Sequence, residues 1–114
     1  MSKTKFITKD SGKRQKFASG MQRDLQQDKI RYDLCYDGPM FKRWAELLTR
    51  GAVKYDARNW MKANSNEELE RFKSSAARHF TQWMNGETDE DHAAATIFNL
   101  NGYEYLKNKL ENGK

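Results

Sequence analysis

RFKSSAARHFTQWMNGETDEDHAAATIFN, residues 71–99, decides how this chain folds. Phe72, Ala76, Phe80 and Trp83 or Met84 recur at spacings of three and four, the period of a helix with one apolar stripe. Gly86 stands where a left-handed C-terminal cap belongs, so that helix ends there. Thr88, with Asp91 three residues on, fits a capping box, and Ala93, Ala94, Ala95, Ile97, Phe98 and Leu100 carry a second helix onward. Only Gly86 to Thr88 separate the two helices, which predicts an antiparallel hairpin. His92 and Asn99 lie seven residues apart on one face of the second helix and need partners if that face is buried.

The turn between these helices crowds charge. Glu87, Asp89, Glu90 and Asp91 bring four carboxylates to one helix N-terminus, with Arg78, His79 and Gln82 one or two turns back. Two readings stand side by side. Acidic residues are favoured in a first helical turn by the macrodipole alone. A ring of carboxylates also suits a hard divalent cation.

Working outward, Asp37-Gly38-Pro39 is turn chemistry, and Pro39 at a first helical position opens an earlier helix with Met40, Trp44, Leu47 and Leu48 on its apolar face. It runs to Arg50, or through Gly51 to Tyr55. Glu46, Arg50 and Lys54 follow one another at single turns, which predicts either a surface ion-pair ladder or a metal ligand at Glu46 and a phosphate contact at Lys54. DARNWMKANSN, residues 56–66, is a polar loop whose Trp60 either anchors it on the core or offers a stacking surface for a ring. Ser65 with Glu68 is a second capping box, so the next helix covers about 66–85 and the last about 89–109, leaving a polar tail. Ile30 to Tyr36 alternates like a strand but has no partner strand, which predicts an extended lead-in packed on helices. Residues 1–29 show no sustained period and read as an extended arm with a short helix at Met21 to Gln27. The expected fold is all-α: a bundle of three to four main helices in one domain, 32–114, preceded by a basic arm, 1–31.

Charge supports that division. The net charge of +5 separates into +6 on residues 1–31 and −1 on the rest, so the arm favours anionic partners, whether ligand phosphates or a nucleic-acid backbone. With 114 residues and 37% hydrophobic content the core is modest, and a second copy of the chain is expected to complete it. A single cysteine, Cys35, excludes an internal disulfide and multi-cysteine zinc sites, and is given a packing role. No apolar run approaches the roughly 20 residues that cross a membrane. The expectation is a soluble cytoplasmic protein, in host cytoplasm if the source is viral, with no membrane partner.

Several chemistries find no support. Cys35 lies in a different segment from both histidines, no serine sits in an elbow, and phosphate-cradling glycine loops are absent. Asp91-His92 reverses the order of an HD metal motif, and two histidines thirteen residues apart on different helices do not make a zinc site. A carboxylate site on facing helices remains. Oxygen ligands suit Mg²⁺ or Mn²⁺, and with Lys54, Arg58, Arg78 and His79 nearby they match a nucleoside triphosphate better than a sugar or acyl substrate.

Four pieces in this order, FASGMQRD at 17–24, KIRYDL at 29–34, RWAELLTRGAVKYDARNW at 43–60 and the stretch at 71–99, cover most of the chain from residue 17. In them the chain resembles the MazG-like all-α nucleotide pyrophosphohydrolases, in particular the phage-type dATP/dGTP diphosphohydrolases to which the MazZ proteins of 2-aminoadenine phages are related. The combination of GAVKYDARNW with ARHF, GE and DEDHAAA carries the likeness. The resemblance implies hydrolysis of a purine deoxynucleoside triphosphate, dGTP or dATP, to the monophosphate and pyrophosphate, with Mg²⁺ or Mn²⁺, in a homo-dimer or homo-tetramer. The wider group pairs an ExxE on one helix with an ExxD on a later one. Here Glu46 has Thr49 three residues on, so Glu46 is the sole acidic candidate on the earlier helix, and Glu87, Glu90 and Asp91 stand where the later cluster would.

The mechanism expected on this basis has Glu46, Glu87, Glu90 and Asp91 holding metal, with Glu87 or Asp91 orienting the attacking water. Lys54, Arg58 and Arg78 neutralise phosphates, His79 donates to a phosphate oxygen or braces a ligand, Asn59 and Asn99 bond sugar or base, and Trp60 stacks. Arg23, Lys29 and Arg31 of the arm close over the phosphates. The rival from another class is a small basic phage protein that binds nucleic acid through residues 1–31, and a third reading is a non-catalytic nucleotide sensor. Nucleic acid as a partner is the less favoured expectation.

Overall fold

The computed structural model describes residues 5–112, so residues 1–4 of the arm and 113–114 of the tail lie outside the described residues. The chain forms two compact units, Met1–Arg31 and Tyr32–Lys114.

The first unit is a β-hairpin. Strands β1 (Arg14–Lys16) and β2 (Gln22–Asp24) pair antiparallel, with Arg14 opposite Asp24, Gln15 opposite Arg23 and Lys16 opposite Gln22. The sequence predicts a short helix across Met21 to Gln27, and the structure overturns it. Gly20, at φ +94°, makes a turn that any other residue would resist, and Phe17 N–H donates to Met21 O at 2.9 Å to close it. Asp24 then gathers the unit: its carboxylate accepts from the Ser11 amide at 3.1 Å and the Ser11 hydroxyl, and Lys29 Nζ stands 3.8 Å away.

The second unit is helical. Tyr32–Tyr36 forms a 3₁₀ turn rather than the expected extended lead-in, its backbone bonding locally. Tyr36 packs its ring 4.8 Å from Phe41. Cys35 is exposed, so the packing role assigned to it does not hold. Helix α1 (Met40–Lys54) keeps Met40, Trp44, Leu47 and Leu48 half-buried as its spacing predicts, with Pro39 as the N-cap rather than the first helical residue. The loop that follows takes one short 3₁₀ turn, Asn59–Lys62. Trp60 anchors it on α3 (His92–Asn112), edge-on to Phe98 at 6.3 Å and Tyr105 at 5.1 Å. Lys109 fastens the same loop, its Nζ donating to the carbonyls of Met61 at 3.1 Å and Ala63 at 2.9 Å.

Helix α2 (Asn66–Met84) begins with the predicted capping box. Ser65 Oγ accepts from the Glu68 amide at 3.2 Å, and the Glu68 carboxylate accepts from the Asn64 amide at 2.9 Å. It ends as predicted at Gly86, φ +75°, in a Schellman motif: Gly86 N–H donates to Trp83 O and Glu87 N–H to Gln82 O, each at 3.0 Å. Helices α2 and α3 form the antiparallel hairpin, and the seam on α3 is His92, Ala95, Asn99, Gly102 and Leu106, all buried. Gly102 allows the closest approach, since a Cβ there would overlap the Phe72 ring, with Cδ1 at 2.8 Å.

The inward face of α2 is turned from the predicted stripe. Ala76 and His79 are buried, whereas Phe80 and Trp83 are about half exposed and stack on each other with centroids 5.8 Å apart. His79 takes the inward position because His92 across the seam and Arg78 beside it on α2 satisfy its ring nitrogens.

Candidate active site

The charged turn between α2 and α3 is assembled from both helices and from α1. The expected capping box at Thr88 does not form. Asp91 itself caps α3, its Oδ1 accepting from the Ala94 amide at 3.1 Å, and the helix starts three residues later than the sequence suggests. The same carboxylate receives two bonds from Arg43 of α1, Nε to Oδ2 at 2.9 Å and Nη2 to Oδ1 at 2.6 Å. The Arg43 bond, then the Ala94 amide, hold the Asp91 carboxyl at about 2 against an ordinary 3.8. Both Asp91 oxygens are therefore engaged, in contrast to the free ligand or water-orienting base that the sequence predicts. Arg43, which pins α1 to the start of α3, carries no signal in local spacing; its partner lies 48 residues away.

Glu87, Asp89 and His92 come together instead, with one ligand atom from each inside 4.8 Å of the others. Glu87 and Glu90 line a cleft of about 490 Å³ with Arg43, Trp83, Thr88 and Asp91. Glu87 accepts from Gln82 Nε2 at 3.1 Å. Asp89 Oδ1 lies 2.7 Å from His92 Nε2, a bond that lowers the Asp89 pKa from its ordinary value. Sequence reasoning counts Asp89 in the acidic turn but leaves it out of the assigned ligands, and it does not select His92; the His92–Asn99 spacing marks the buried face but not the partner. His79, buried, faces His92 with their Nδ1 atoms 2.8 Å apart, and burial followed by the neighbouring Arg78 lowers its pKa. Arg78 Nη2 is 3.3 Å from His79 Nε2 and its Nη1 donates to Gln82 Oε1 at 3.1 Å.

The other expected residues are placed as follows. Glu46 is exposed on α1, within electrostatic reach of Arg43. Lys54 lies over the Tyr55 ring at 5.1 Å. Arg58, in left-handed backbone at φ +64°, joins Asn59, Trp60, Tyr55, Leu48 and Phe98 in lining a second, largely apolar cleft of about 540 Å³. Asn99 is buried and spends its amide on Ala95 O at 2.8 Å, within its own helix. Arg23 and Lys29 belong to the hairpin unit, as does Arg31. Among the described residues, Trp44 Nε1 is the lone fully buried side-chain polar atom without a partner, so both buried histidines are satisfied on every ring nitrogen.

Three helices, with a carboxylate-lined cleft at the tight turn between the last two, make the described part of the second unit a mainly helical protein. The chain belongs to the family described as dATP/dGTP diphosphohydrolase, N-terminal, whose model matches residues 19–111. Neither a curated protein nor a solved structure matches it. Among the described residues no helix is long and apolar enough to cross a membrane.

Proposed function

We propose that this protein hydrolyses a purine deoxynucleoside triphosphate, dGTP or dATP, to the monophosphate and pyrophosphate in phage nucleotide metabolism. The observation that carries the reading is the family match across residues 19–111, which spans the carboxylates at the α2–α3 turn. The donor set suits Mg²⁺ or Mn²⁺, because Glu87 and Asp89 offer oxygen atoms side by side and Glu90 lines the same cleft as Glu87. A bound divalent cation supplies charge neutralisation on the triphosphate. Glu87, Asp89 and Glu90 are the residues proposed to hold it, with Glu46 of α1 as a further contributor and Asp91 kept in place by Arg43.

In the hydrolysis, water adds to the α-phosphorus, the bond to the bridging oxygen of the departing pyrophosphate breaks, and the water proton passes to a carboxylate of the cluster. Arg58 and Lys54 bring positive charge for the phosphates. The apolar cleft beside Trp60, at about 540 Å³, is of the size that takes a purine, and Asn59 on its wall offers hydrogen bonds to base or sugar. A dimer or tetramer is supported by the apolar side chains left outside, among them Val53 at 86%, Met84 at 65% and Trp83 at 51% exposure.

Incubating the purified protein with each deoxynucleoside and ribonucleoside triphosphate, with Mg²⁺, Mn²⁺ or EDTA, and resolving products by ion exchange tests this directly. Monophosphate and pyrophosphate from dGTP or dATP, lost in EDTA, is the expected result; no product from any nucleotide would overturn it.

A further inference from the structure

We infer that Arg78 is a positioning residue, the root of two hydrogen-bond chains that aim Glu87 and Asp89 at a common point. The inference rests on the proposed reading of those carboxylates as the cation-binding pair. One chain is short: Arg78 Nη1 donates to Gln82 Oε1 at 3.1 Å, and Gln82 Nε2 donates to Glu87 Oε1 at 3.1 Å. The other passes through the two buried rings, from Arg78 Nη2 to His79 Nε2 at 3.3 Å, from His79 Nδ1 to His92 Nδ1 at 2.8 Å, and from His92 Nε2 to Asp89 Oδ1 at 2.7 Å.

The second chain has only one consistent direction. A guanidinium donates and never accepts, so His79 Nε2 presents its lone pair and the ring proton sits on Nδ1. That proton points at His92 Nδ1, which must accept, leaving the His92 proton on Nε2 for the Asp89 carboxylate. Reversing either ring sets N–H against N–H or a lone pair against the carboxylate. Rings only 7% and 2% exposed have no water to repair such a clash. The two rings therefore carry opposite tautomers, and His92 Nε2 braces Asp89 instead of ligating a cation. Asp89 needs the brace because its side chain is 63% exposed on a turn. Arg78, expected from sequence to touch phosphate, spends its two terminal nitrogens on Gln82 and His79.

Ring-nitrogen NMR of the ¹⁵N-labelled full chain, without metal and at neutral pH, reads the tautomers. The expected result is Nδ1–H on His79 and Nε2–H on His92; like tautomers, or a cationic ring, would overturn the chain. Arg78 is exposed, so Arg78→Leu is compatible with folding. Mn²⁺ affinity without nucleotide, read by electron paramagnetic resonance, is expected to fall about tenfold in that variant, with His79 relaxing to a tautomer mixture. Arg78→Lys, whose single nitrogen serves one branch, falls between. Unchanged Mn²⁺ affinity with a raised KM for nucleotide would overturn the positioning role and return Arg78 to the phosphates. Opposite tautomers in a protein that hydrolyses no nucleotide count against the proposed reaction and for the chain, whereas turnover with like tautomers counts the other way.

Discussion

Asp91→Asn isolates the pair that ties α1 to α3. Asparagine retains an oxygen for the Ala94 amide, so the cap of α3 survives and only the charged bond to Arg43 is lost. A carboxyl brought from 3.8 to about 2 corresponds to about 2.5 kcal/mol. The side chains of Arg43 and Asp91 are 39% and 21% exposed, and screening reduces the figure to about 1–2 kcal/mol. That lowers Tm by about 4–16 °C for a domain of this size. Asp91→Ala loses the cap as well and costs about 1 kcal/mol more. Urea unfolding followed by circular dichroism measures both. The pH dependence carries its own sign. Because the folded carboxyl has the lower pKa, its stabilisation is complete above the unfolded value near 3.8 and is lost as pH falls through about 2. The gap between the native protein and Asp91→Asn should therefore be full at pH 7 and shrink between about pH 4 and 2. A gap that stays constant across that range, or an Asp91→Asn variant as stable as the native protein, would refute the argument. Arg43→Met in a double-mutant cycle with Asp91→Asn should return a coupling of about 1 kcal/mol or more.

Gly102→Ala tests the seam between α2 and α3. The added methyl meets the Phe72 ring, itself 6.3 Å from Phe98, so overpacking of about 1–3 kcal/mol should outweigh the better helix propensity of alanine and lower the urea midpoint. Ser65→Ala removes the two bonds its hydroxyl makes with Glu68 at the start of α2 and leaves the one from the Asn64 amide, and thermal unfolding should show a loss of about 1 kcal/mol. Trp60→Ala strips the loop of its edge contacts with Phe98 and Tyr105. A cost of about 2–4 kcal/mol is expected, together with faster proteolysis of residues 56–63, and Trp60→Phe should recover most of it.

Features that depend on neighbours along the chain could be read without the fold. The helices at 40–54 and 66–84, the Ser65–Glu68 cap and the Gly86 stop were all legible, because caps, periods and left-handed glycines act within a few residues. The hairpin of α2 and α3 followed from the length of the connection. Tertiary structure alone decided the rest. Arg43 reaches Asp91 across 48 residues, which moved the start of α3 and took Asp91 out of the free carboxylates. His79 turned inward in place of Phe80 because His92 and Arg78 satisfy its ring nitrogens, and periodicity counts apolar residues without seeing such partners. The hairpin at 14–24 stayed hidden because three-residue strands leave almost no alternation to read, and their stability comes from Asp24 collecting bonds from Ser11 and Lys29 at a distance in sequence. Acidic character at residues 87–91 is written in the sequence, but which carboxylates are free and which are held is fixed by groups that only folding brings beside them.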